Sequence, residues 1–143
     1  MRATIRQADR SELDSIMGLW LESNVSAHDF IPRAYWEAQY ERVSRMLPES
    51  SVYVYEQEGR LQGFAGLSGE MLEGLFIREG CRSMGIGKAL LDRLKEMNQS
   101  LSLRVYRENG RAARFYQREG FYVQAVEKDP ETGRYEFLMR WSR

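Results

Sequence analysis

Arg82-Ser83-Met84-Gly85-Ile86-Gly87-Lys88 is the stretch of this 143-residue chain whose residue types and spacing best suit a ligand. Glycines let a ligand come close to the main chain. If a helix starts here, its first amides have no intrahelical acceptor and point outward, and the helix dipole adds partial positive charge. Such a place holds phosphate. Two nucleotide signatures fail on the residues present: a dinucleotide fingerprint needs a small side chain where Leu90 stands, and a Walker loop needs Ser or Thr where Ala89 follows the lysine. The spacing that fits is RxxGxG, which an ordinary glycine turn before a helix also satisfies. A second stretch, Asn109 through Phe121, reads NxxAxxFYxxxGF. Asn109 is a natural helix N-cap, Gly120 a natural stop and Phe115 a core-facing residue, so packing alone accounts for much of it.

Both stretches need strands and helices to place them, and the apolar spacing supplies these. Ala3 to Gln7 alternates as a strand. Asp9 or Ser11 then caps a helix carrying Leu13, Ile16, Met17, Trp20 and Leu21, and Pro32 opens a second with Tyr35, Trp36, Tyr40 and Val43. Two strands meet about Glu58-Gly59-Arg60, and Met71 to Ile77 runs as a third strand into the glycine loop. A helix with Ala89, Leu90, Leu91, Leu94 and Met97, a strand Leu101 to Tyr106, a short helix and a last hairpin about DPETG complete the order. This predicts an α+β domain over residues 1–143: a mixed, mostly antiparallel sheet of about seven strands, covered by helices on both faces. The 43% apolar share supports a core, and 21 basic residues against 21 acidic give no electrostatic reason to expect nucleic acid. One Cys excludes an intramolecular disulfide framework and a multi-cysteine zinc site, and no metal is expected. No apolar run approaches the ~20 residues of a membrane span, and the polar start is unlike a signal peptide, so a soluble cytoplasmic protein is expected.

Taken together, the two motifs resemble the acyl-CoA-dependent N-acetyltransferases of the GNAT superfamily, in particular its small single-domain bacterial-type members. The motifs cover about residues 71–121, and element order and length extend the resemblance along the chain. It implies acetyl-CoA as cosubstrate and direct acetyl transfer to a primary amine, on a protein lysine, an N-terminus or a small molecule. The backbone of Leu75, Phe76 and Ile77 would hold the pantetheine arm, with an amide at Leu75 or Phe76 meeting the oxyanion. Arg82 and the amides of Ser83, Met84, Gly85, Ile86, Gly87 and Lys88 would hold the pyrophosphate, and bulk at Gly85 or Gly87 would keep it away. Asn109 would contact the pantetheine or the adenine side, and Tyr116 would be the general acid to the CoA thiolate. Ser83 departs from the family, which usually has glycine there; the amide survives that change. Lys88 is either a phosphate contact or a helix-surface lysine.

Several assignments stay open on sequence alone. Glu73 is a candidate base, placed by alternation on the face of Met71 and Leu75, or else a solvated strand-edge carboxylate. His28, the one histidine, is a substrate contact or proton relay, or else simply packed. Trp20, Phe30, Tyr35 and Trp36 line an acceptor cleft or belong to the core, and Cys81 reads as a small packed residue rather than a nucleophile. Glu22, Asp29, Glu37 and Glu41 would suit a cationic acceptor. The alternative on the same fold is a non-catalytic CoA-binding sensor or partner module, and an edge formed by the last strands could pair two copies into a homodimer.

Overall fold

The computed structural model describes residues 3–82 and 84–143. β1 (Ala3–Gln7) leads to a capping box: Asp9 accepts from the Ser11 amide, while Glu12 accepts from the Asp9 amide at 2.8 Å. That box turns the chain into α1 (Leu13–Ala27), and Pro32 stands at the N-cap of α2 (Arg33–Met46). β2 (Ser51–Gln57), β3 (Arg60–Ser68) and β4 (Met71–Ile77) form an antiparallel meander. α3 (Ile86–Met97) crosses to β5 (Ser100–Tyr106), and α4 (Gly110–Arg118) precedes the hairpin of β6 (Tyr122–Lys128) and β7 (Tyr135–Ser142).

The sheet has seven strands in the order β1-β2-β3-β4-β5-β7-β6, and the β4–β5 pair alone is parallel. Element order and fold class agree with the sequence expectation. A parallel pair needs a crossover, and α3 supplies it with Leu91 and Leu94 packed in one cluster with Leu72, Leu101, Leu103 and Met139, and with Leu90 also fully buried. α4 adds Ala113 and Tyr116 to that side. The opposite face packs Ile16, Met17 and Trp20 of α1 and Trp36 of α2 over Val52, Val54 and Phe64. Among the described residues no helix is long and apolar enough to cross a membrane.

One irregularity corrects the sequence reading. The β3–β4 register shifts between Gly66 and Leu67, whose partners are Gly74 and Leu72, so Glu73 is the extra residue of a bulge. Leu72 and Leu75, three apart, both pack toward α3. Strict alternation had grouped Leu75 with Met71 and Glu73; the bulge breaks that alternation.

Candidate functional site

The site begins where two parallel strands part. β4 and β5 pair through only two rungs, Met71–Ser102 and Leu72–Leu103, and then separate. Along β4 the direction of the main chain follows from one bond: the Arg78 amide donates to the Gln62 carbonyl of β3 at 2.8 Å. Alternation from there turns Phe76 and Gly74 toward β3, and Leu75 and Ile77 toward the gap. The main-chain groups of Leu75 and Ile77 therefore offer an unpaired strand edge. Those of Phe76 do not, and its ring packs on Phe64 on the α1 side, 5.2 Å between centroids.

At the end of β4 the chain turns into α3. Gly85 is its N-cap with φ +78°, a left-handed conformation that costs a residue with a Cβ about 1–2 kcal/mol. It has no side chain to cap the helix, so the amides of Ile86, Gly87 and Lys88 point outward beside it. At Gly87 a Cβ would lie 3.4 Å from Phe115 Cζ, an ordinary contact, so α4 lies close against the first turn of α3 and a side chain larger than a methyl would press on Phe115. Ile86 is buried and Met84 exposed. Ser83 lies outside the described residues. Lys88 Nζ is held by Glu119 at 3.2 Å and Asp92 at 3.3 Å, which raises its pKa and ties its charge to the helix surface. Arg82 lines an open groove of about 480 Å³ with Arg78, Glu79 and, from α1, Ser15, Gly18, Glu22 and Ser26. Cys81 is half-buried beside it. A strand edge leading to a row of free amides suits a ligand with an amide-bearing arm and a diphosphate, as CoA has.

Tyr116 stands on α4 in the cluster that contains Leu72, Leu103 and Val105, beneath the parting strands. Its ring is wedged between Phe115 and Phe121 at 5.2 and 5.6 Å, the residue is 8% exposed, and burial alone pushes its phenol pKa up. The hydroxyl is thus a neutral donor across the whole working pH range. Asn109 caps α4, accepting from the Ala112 amide at 3.3 Å, and its Nδ2 lies 3.3 Å from His28 Nε2. His28 is 8% exposed, and Nδ1 faces the Asn24 carbonyl at 2.8 Å. Its ring stacks on Trp36 and meets the edges of Phe30 and Tyr106. Glu73 is exposed at the bulge where the strands part, on the opposite flank of the gap from this cluster's Tyr106.

The acceptor side differs from the sequence reading. Trp20 and Trp36 are core, edge to face at 6.1 Å, while Phe30 and Tyr35 are partly buried. Of the acidic residues expected at the mouth, Glu22 and Glu37 both pair with Arg33 and Glu41 with Arg45, all at the surface, while Asp29 is exposed. The carboxylates beside the aromatic cluster come instead from the turn between β6 and β7. Asp129 accepts from the Tyr106 hydroxyl at 2.6 Å and Glu131 from that of Tyr35 at 2.9 Å. Burial and these acceptors hold the Tyr106 phenol well above its ordinary value and push Tyr35 up to about 12.

Comparison with known proteins agrees with this geometry. Residues 48–123 match the family model described as acetyltransferase (GNAT) domain. The chain is 36% identical over 139 residues to the peptidyl-lysine N-acetyltransferase YiaC of Escherichia coli, covering 96% of this chain and 95% of that protein. The solution structure of apo YjaB from Escherichia coli superposes with a TM-score of 0.87 at 27% identity, covering 99% of this chain and 98% of that one. The PaiA N-acetyltransferase of Thermoplasma acidophilum, solved with coenzyme A, shares the fold at TM-score 0.81 and 19% identity, with both chains covered in full.

Proposed function

This chain belongs to the GNAT acetyltransferase family, and we propose that it transfers the acetyl group of acetyl-CoA directly to the side-chain amine of a peptide lysine, residues 1–143 acting as one catalytic domain. The observation that carries this is the gap between β4 and β5 opening onto the free amides of α3, with Tyr116 beneath it. The lysine acceptor is supported by the printed activity of the relatives, YiaC and, at 31% identity, YjaB of Salmonella typhimurium. A cytoplasmic location follows the cosubstrate. A homodimer through β6 belongs to the same proposal: β6 is an edge strand that exposes Tyr122, Val123 and Val126.

In this reading Leu75 and Ile77 bind the pantetheine arm as an added strand, and the Leu75 amide is the donor available to the oxyanion. The amides of Ile86, Gly87 and Lys88, with Arg82 of the preceding loop as the charged partner, hold the diphosphate. Acetyl-CoA supplies the activated acyl group and a thiolate leaving group. A lysine amine of pKa ~10.4 is neutral in only about one molecule in 2,500 at pH 7, a cost of about 4.6 kcal/mol. Glu73, exposed where the strands part, is the carboxylate proposed to take that proton through water. His28 has both ring nitrogens engaged and is given no such step. Tyr116 donates to the sulfur as it departs. A thiol pKa near ~8.5 lies below that of a buried phenol, so the hydrogen bond does most of the work before any proton moves.

The test is CoA release from saturating acetyl-CoA with N-terminally blocked lysine peptides, unblocked lysine-free peptides and small amines. Turnover concentrated in the blocked lysine peptides is expected. Turnover confined to small amines or to lysine-free peptides would overturn the acceptor assignment.

A further inference from the structure

We infer that His28 is a positioning residue for α4: as a neutral imidazole protonated on Nδ1, it accepts from the Asn109 side-chain amide and so holds the Asn109 carbonyl oxygen on the first turn of the helix that carries Tyr116. Three partners settle this arrangement. The Ala112 amide can only donate, so the Asn109 atom 3.3 Å from it is Oδ1. The NH₂ of Asn109 therefore faces His28, and since it too can only donate, Nε2 at 3.3 Å presents its lone pair. The Asn24 carbonyl can only accept, so Nδ1 at 2.8 Å carries the proton. Asn24 is itself fixed, its side chain donating to the Trp20 carbonyl at 2.9 Å. With Trp36 stacked on one face and Phe30 and Tyr106 against the edges, the ring has no room to turn away.

The consequence is a mutual exclusion. A proton added at Nε2 sets two donors face to face. If Asn109 turns its amide over to offer Oδ1 to the imidazolium, its NH₂ then faces the Ala112 amide and the cap on α4 is lost. The surrounding ionisable groups are tied to other partners or point elsewhere. Tyr106 of β5 is bonded to Asp129, and Tyr35 of α2 to Glu131. Glu108, beside Asn109, pairs with Arg134, whose guanidinium lies over Phe30, and Asp29 is exposed next in the chain. Among the described residues no carboxylate pairs with the imidazole. Burial lowers its pKa, outweighing the Asn24 carbonyl, so protonation is opposed by the fold and begins below the ordinary value of about 6.5.

Because His28 is the one histidine in the chain, its imidazole can be read without assignment by mutation. The ¹⁵N imidazole shifts of wild type are expected to show the Nδ1–H tautomer at pH 7.5. As His28 titrates, the exchange protection of the Ala112 amide should fall about fivefold, the size of an N-cap of ~1 kcal/mol. His28→Gln keeps an acceptor toward Asn109 without a titrating group, so protection should become flat over the same pH range; His28→Phe should show the low value throughout. An Nε2–H tautomer, or Ala112 protection that ignores the His28 titration, overturns the inference. The link to turnover rests on the Tyr116 reading proposed above. If protection follows the titration while kcat does not, the His28–α4 link stands and the role of Tyr116 falls.

Discussion

Leu72 pairs with Leu103 in the last rung that joins β4 to β5, and beyond it the strands diverge. Both side chains point into the core under α3, so the separation is not a failure of packing. It follows from the bulge at Glu73, which adds one residue to β4 against β3 and bends it away from β5. The same bulge sets which residues face the gap, and the unpaired strand edge is thus built by a defect in regular pairing.

The two loop glycines should respond differently to substitution. At Gly85 a Cβ enters open space but the backbone stays left-handed, so Gly85→Ala pays about 1–2 kcal/mol in strain or relaxes the first-turn amides. Losing one charge-assisted hydrogen bond of about 1.5–3 kcal/mol would weaken CoA about tenfold or more. At Gly87 the added bulk of valine presses on Phe115, so Gly87→Val should cost about 1–3 kcal/mol of stability and displace α4. Calorimetry with CoA and thermal melts on both variants separate the cases; unchanged CoA affinity in folded Gly85→Ala would remove the diphosphate loop.

Much of this fold was legible in the chain because apolar spacing is local. β1 alternates over the same five residues that pair, and Leu90, Leu91 and Leu94 mark the buried face of α3. The bulge left no trace, since it depends on how many residues of β3 oppose β4 and not on the β4 sequence. The pairing of the acidic residues was only partly legible: Glu37 with Arg33 and Glu41 with Arg45 sit at i,i+4 spacing, whereas Glu22 meets Arg33 across a break between helices, which no helical spacing reveals. Asp129 and Glu131 read as turn residues, and only the folded chain brings them to Tyr106 and Tyr35. The glycine loop and Tyr116 could be nominated from sequence because each lies in a contiguous motif, and their proposed roles rest on the tests at Gly85 and Tyr116.

Ligand selectivity gives a second check. CoA should raise the melting temperature through binding to the native state, by RT ln(1 + [L]/Kd), or about 2.7 kcal/mol at a hundredfold excess over Kd. NAD and ATP should leave it unchanged, since Leu90 and Ala89 spoil both nucleotide signatures. A shift with NAD equal to that with CoA would contradict the site.

Acid stability should depend on Glu12. Its bonds to Arg6 at 2.9 and 2.8 Å hold the carboxyl down at about 2, well below the usual value. A depressed carboxylate contributes stability above its unfolded pKa of about 4.3 and loses it as pH falls toward the folded value. Glu12→Gln retains an acceptor for the Asp9 amide but removes the charge. It should lower stability at pH 7 by on the order of 1 kcal/mol, the pair being partly solvated, and the deficit should vanish near pH 2. Denaturant midpoints across that range measure it; a deficit that persists unchanged at pH 2 would assign the effect to packing.

Tyr116→Phe is the sharpest test of the chemistry. The ring fills space between Phe115 and Phe121, and phenylalanine keeps that packing while deleting the hydroxyl. Among the described residues the hydroxyl has no hydrogen-bond partner, so its removal leaves no buried group stranded and should change stability by less than about 1 kcal/mol. If the hydroxyl meets the sulfur only as charge develops there, kcat should fall about 10²–10⁴-fold while CoA affinity holds. Because burial raises the phenol pKa, the group stays a donor at every working pH, and above the His28 titration the variant should lower kcat evenly rather than move the pH optimum. The measurement compares both proteins at saturating acetyl-CoA under conditions where chemistry limits the rate, with the folded fraction taken on the same samples. A kcat within about twofold of wild type would make Tyr116 a packing residue and leave the thiolate to water.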